Sequence, residues 1–138
     1  MHRPLVAAAV SIAAALSFTA CGGSDPNPVL SPEYHPEITN LTDSFSFQLT
    51  NVVNGSGSLS YPWQNTGTLA SIDRSSSIGS GAVTLTLRDA ANVQVYKGPL
   101  DGATGSVATA PAGAAGTWTI VVDFVDTTGT INFRAQKQ

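Results

Sequence analysis

"TWTIVVDFV", residues 117–125, alternates without a slip: Trp118, Ile120, Val122 and Phe124 fall on one side, Thr117, Thr119, Val121 and Asp123 on the other. A period of two marks a half-buried strand, because successive side chains of an extended chain point opposite ways. The same alternation recurs outward from this stretch. "VTLTLRD" (83–89) sets Val83, Leu85 and Leu87 against Thr84, Thr86 and Arg88, "SFSFQL" (44–49) alternates through Phe45, Phe47 and Leu49, and "TINFRA" (130–135) through Ile131 and Phe133. "GSLSYPW" (57–63), "TLASID" (68–73) and "NVQVYK" (92–97) read as further strands. Downstream of residue 21, no stretch shows sustained helical spacing.

Turn-formers separate these runs. "DTTG" (126–129) suits a type I turn closed by a left-handed glycine in a hairpin, and "DAAN" (89–92) and "LDGATG" (100–105) read likewise. About seven or eight short antiparallel strands with turns at regular spacing predict an all-β chain. The fold expected is a single jelly-roll-like β-sandwich, two sheets burying their apolar faces against each other.

"TDSFSFQL" (42–49), "GAVTLTLRDAANVQVYKG" (81–98) and "AGTWTIVVDFVDTTGTINFRAQ" (115–136) together resemble the opening, middle and closing strands of bacterial pre-peptidase C-terminal domains and related carbohydrate-binding-module sandwiches, with Asp43, Asp89 and Gly116 at the matching turns. The chain departs from that pattern at "YPWQNTGTLASIDRSSS" (61–77), and here the domain follows an expected lipid anchor rather than a protease. A peptidase-associated role is therefore not carried over.

The first residues have a different character. Arg3 sits in a short polar start, Leu5 to Phe18 is an alanine-dominated apolar run, and Thr19-Ala20 places small residues before Cys21, the chain's one cysteine. That is the anatomy of a secretory signal peptide; a permanent span would need about 20 predominantly apolar residues. Phe18-Thr19-Ala20-Cys21 resembles the lipobox of bacterial lipoprotein signal peptides, which implies cleavage after residue 20 and a lipid on Cys21. With a single cysteine no internal disulfide can form, whereas two acyl chains on one thioether suffice for a durable anchor. Glycine rather than aspartate at position 22 implies, by the same resemblance, sorting to the outer membrane of a diderm envelope.

The expected organisation is thus a leader over 1–20, a lipidated Cys21 and a Pro/Gly/Ser-rich tether over 21–36, and the sandwich over 37–138. The tether carries Pro26, Pro28, Pro32 and Pro36, and extended at about 3.1 Å per residue it would lift the domain about 50 Å from the bilayer.

Charge and chemistry narrow the function. The whole chain has a formal charge of −3, and beyond Cys21 nine acids face five bases (Arg74, Arg88, Lys97, Arg134, Lys137) with no basic cluster. Nucleic acid is not an expected partner. The single histidine beyond Cys21, His35, lies between Tyr34 and Pro36 in the tether, a poor place to fix a Ser-His-Asp triad. Zinc needs several Cys or His ligands. Asp123 and Asp126 differ in parity, so on a straight strand they would point apart, unlike a glycosidase pair. No enzymatic activity and no metal site are expected.

Sandwiches of the resembling kind hold calcium on turn carboxylates and carbonyl oxygens, and calcium takes six to eight of them. Asp89, Asn92, Asp101 and Asp126 stand at turns, yet no acid-dense loop gathers them, and isolated turn acids cap their own turns.

Two readings of function remain. The first is a membrane-anchored envelope lipoprotein presenting an interaction or structural module. The alternative is a glycan-binding lipoprotein, for which "SYPWQN" supplies Tyr61 and Trp63 at strand parity and Gln64 and Asn65 for sugar hydroxyls. Leu59 shares that parity and marks the core side. Trp63 is therefore expected to be mostly buried, and the domain to show no millimolar-range binding to common envelope or plant polysaccharides.

Overall fold

The computed structural model describes residues 34–138; the leader, Cys21 and the expected tether up to residue 33 lie outside them. The described chain is all-β and antiparallel, with seven strands: β1 (Glu37–Leu41), β2 (Ser44–Asn65), β3 (Ala70–Ser75), β4 (Ser77–Arg88), β5 (Gln94–Pro99), β6 (Thr104–Ala108) and β7 (Gly116–Lys137).

Two strands of 22 residues organise the molecule. The first half of β2 pairs with the second half of β7, from Ser44↔Gln136 to Leu49↔Ile131, and the second half of β2 pairs with the first half of β7, from Gly57↔Phe124 to Asn65↔Gly116. One layer is completed by β1 beside β2 and by β3 and β6 beyond β7, in the order β1-β2-β7-β3-β6. The other layer continues from β7 through β4 to β5. The sandwich is therefore one continuous sheet folded over itself, and the rings of Phe45 and Phe47 meet Tyr61 across the interior at 5.7 and 6.0 Å between centroids.

The fold-over corrects the expected strand map. "SFSFQL" and "GSLSYPW" are parts of one strand, as are "TWTIVVDFV" and "TINFRA", and "DTTG" is a bend within β7 instead of a hairpin turn. The ladder slips between Leu49 and Gly57, and β4 slips beside it between Ile78 and Ala82. Asn51, Asn54, Gly57, Gly81, Asp126 and Gly129 take positive φ there. Extra residues on bulged strands sharpen twist and turn a strand out of one layer into the next. Gly129 has φ 147° and Gly81 φ 77°, and a Cβ on either would overlap backbone of the neighbouring strand, so glycine is required for the close approach. "DAAN" does close the β4–β5 hairpin, while "LDGATG" links β5 to β6, which lie in different layers.

Both layers send their apolar residues inward. Trp118, Ile120, Val122, Leu85, Leu87, Phe45, Phe133 and Ile72 are among the buried residues of a single core. Each such side chain removed from water contributes about 1.5–3 kcal/mol. Tyr34, just before β1, packs partly against the same core.

The end of the sandwich opposite the bend is tied by two aspartates. Asp43, at φ 66° in the β1–β2 turn, accepts the Thr66 N–H at 2.7 Å and pairs with the Lys137 ammonium at 3.0 Å. Asp89 accepts N–H bonds from Ala91 (3.0 Å), Val93 (2.8 Å) and Ala114 (2.8 Å), joining the β4–β5 turn to the loop before β7.

Candidate functional site

The aromatic strip of "SYPWQN" does not reach the surface. Trp63 is 1% exposed, packs edge-on against Trp118 at 5.9 Å and donates its indole N–H to the Leu41 carbonyl at 3.2 Å. Tyr61 is half-buried against Phe45 and Phe47, and burial raises its hydroxyl pKa. Asn65 is buried as well, its amide donating to the Leu69 carbonyl at 3.4 Å and its side-chain oxygen accepting the Gly67 N–H at 2.9 Å. Gln64 alone of the four is exposed. The parity that placed Leu59 inward governs the whole set. Pro62 fits its place, since this half of β2 has β7 on one side and no paired strand on the other among the described residues.

The calcium candidates are divided between the two ends. Asp89 and Asn92 lie in the turn opposite the bend, with both Asp89 oxygens already accepting backbone N–H groups. Asp101 accepts the Val83 N–H at 3.2 Å, and Asp126 accepts the Ser56 hydroxyl at 3.2 Å within the bend. The three aspartates are thus engaged by separate neighbours and do not converge. Among the described residues no group of three or more His, Cys, Asp or Glu is placed to hold a metal ion.

A different surface gathers uncommitted polar groups. On the outward face of the first layer the register lines up Thr39, Ser46, Arg134, Asp73 and Ser106, one from each of its five strands. Next to that row stand Glu37, Gln48 and Asn132. These are the out-of-phase partners of the buried Phe45, Phe47, Ile131, Phe133 and Ile72, so the alternation that builds the core also builds this face.

The face is concave. A groove of about 380 Å³ is lined by Glu37, Thr39, Ser46, Gln48, Asn132 and Arg134 together with Ile38 and Phe47. A second, of about 240 Å³, adjoins it over Asp73, Ser75 and Phe133 and shares Ser46, Asn132 and Arg134 with it. Asp73 accepts the Ser106 hydroxyl, and Ser106 lies 3.1 Å from the Ser71 hydroxyl. Among the described residues the Arg134 guanidinium makes no ion pair, although Asp73 stands directly opposite on the next strand. The floor thus offers donors and acceptors in close succession, few of them consumed internally.

Neither family models nor curated proteins match this chain. Among solved structures it is similar to an arabinose-bound α-L-arabinofuranosidase at 18% identity and a TM-score of 0.37, over 75% of this chain and 23% of that one. The chain therefore spans less than a quarter of that enzyme's length, and a likeness of this degree carries no functional argument. No helix of the described residues is long and apolar enough to cross a membrane.

Proposed function

We propose that the protein is a cell-envelope lipoprotein that holds a β-sandwich beyond the membrane as an interaction or structural module, without catalytic activity. The observation that carries this is Cys21, the one cysteine, closing Phe18-Thr19-Ala20-Cys21 after an apolar leader. The fold adds support of a different kind: the first strand begins at Glu37, well past Cys21, which agrees with a spacer between anchor and domain. In a diderm source, Gly22 directs the protein to the outer membrane. Replacing Cys21 with serine is expected to abolish fatty-acid labelling and move the protein out of the membrane fraction. Unchanged labelling and fractionation would remove the lipoprotein reading.

A second reading, glycan binding, is favoured by the concave polar face of the first layer rather than by Tyr61 and Trp63. Its first test is whether the full chain, purified in detergent, retains any neutral oligosaccharide at all.

A further inference from the structure

We propose that the two adjoining grooves form one site for a neutral oligosaccharide laid across the strands, with Ser46, Asn132 and Arg134 as its floor; this rests on the glycan-binding reading and gives it a place and a ligand class. Those three residues line both grooves, so the grooves are two halves of a single trough. Strands lie about 4.8 Å apart, and a row of five therefore offers polar groups over about 19 Å. Such a length suits a chain of sugar units better than a single ring.

The ligand class follows from charge and hydrogen bonding. Arg134 stands beside Asp73 in its row, with Glu37 at the margin of the other groove. An acidic ligand meets two carboxylates there, and a basic one meets the guanidinium. A neutral hydroxyl meets neither penalty, because each hydroxyl both donates and accepts. It can take a bond from Arg134 or the Asn132 amide and give one to Asp73, Glu37 or the Gln48 carbonyl. Ile38 is the one large aliphatic side chain lining the trough, and it is 38% exposed, so a protein partner would find little apolar area for a stable interface. A peptide added as a strand would use a sheet edge, not this face.

The test uses the full chain purified in detergent, titrated calorimetrically with hexamers of neutral hexoses of several configurations, and with glucuronate and glucosamine hexamers. At least one neutral hexamer is expected to bind saturably, more tightly than its monomer. Arg134→Ala and Asn132→Ala are each expected to weaken it by about tenfold or more. Ser60→Ala, on the outward face of the other layer, is expected to leave it unchanged. Near-ultraviolet circular dichroism of the Trp63–Trp118 pair reports whether each variant keeps the fold. Binding that survives both trough substitutions would overturn the site while leaving glycan binding intact. Tighter binding of the glucuronate or glucosamine hexamer would overturn the ligand class. Failure of the parent to bind any hexamer would remove the glycan-binding reading together with this inference.

Discussion

Trp118 shows how much a single side chain carries in this core. It is fully buried, meets Trp63 edge-on and donates its indole N–H to the Ala114 carbonyl at 2.8 Å. Trp118→Ala is expected to cost about 3–5 kcal/mol, a large fraction of the stability of a domain this size; chemical denaturation showing a loss below about 1 kcal/mol would contradict the packing. Asp89 and Asp43 work through charge. The Ala114 N–H above all, then those of Val93 and Ala91, hold the Asp89 carboxyl below its ordinary value of 3.8. The Thr66 N–H does the same for Asp43, with the Lys137 ammonium assisting. A carboxyl with a depressed folded-state pKa adds stability that is complete above its unfolded value and is lost as the pH falls through the folded one. The thermal midpoint is therefore expected to drop as the solution is acidified below about pH 4. Asp89→Asn is expected to lower the midpoint at neutral pH and to flatten part of that acid decline; an identical acid slope in the Asp43→Asn, Asp89→Asn double variant would refute the assignment.

Among the elements, the bend is where local sequence and long-range pairing part company. Glycine, asparagine and aspartate supply positive φ both to hairpin turns and to bulges, so "DTTG" carries the same local signal for either. The outcome depends on partners far along the chain: Gly55↔Thr127 and Val52↔Gly129 keep the ladder going where a hairpin would reverse it. The alternations themselves were fully legible, and with them the buried faces of β2, β4 and β7, because inward and outward positions are a local property of an extended chain. The polar trough was visible only in part. Ser46, Gln48, Asn132 and Arg134 stand out as the wet members of their alternations, but nothing local says that these strands are neighbours. Gly81→Ala and Gly129→Ala are each expected to cost more than about 1 kcal/mol, since a side chain at positive φ is strained and here also overlaps backbone. Denaturation midpoints equal to that of the parent would show that the bend relaxes freely.

At the scale of the whole molecule, each layer contains half of β2 and half of β7, so neither layer can form without strands the other also needs. Unfolding is expected to be a single transition, with far-ultraviolet circular dichroism and tryptophan fluorescence coinciding. The β2–β7 ladder joins segments on either side of all five other strands but β1, and non-local pairing of this kind is slow. Stopped-flow fluorescence is expected to show the main refolding phase in milliseconds to seconds; a main phase of tens of microseconds would contradict the topology.

The bend also fixes the phase of the alternation along β7. In β2 the inward positions are odd on both sides of it, Phe45 to Leu49 and Tyr61 to Trp63, whereas in β7 they are even before it, Trp118 to Phe124, and odd after it, Ile131 to Ala135. The residues between Phe124 and Ile131 therefore set a frame, much as a codon boundary does. One residue gained or lost there would turn half of β7 inside out, trading Ile131, Phe133 and Ala135 for Asn132 and Arg134. The same change between Asn65 and Ala70, in the connection from β2 to β3, would disturb the Asp43–Thr66 bond but leave every inward position where it is. Length variation in descendants of this gene should accordingly collect at the strand connections and spare the fold-over.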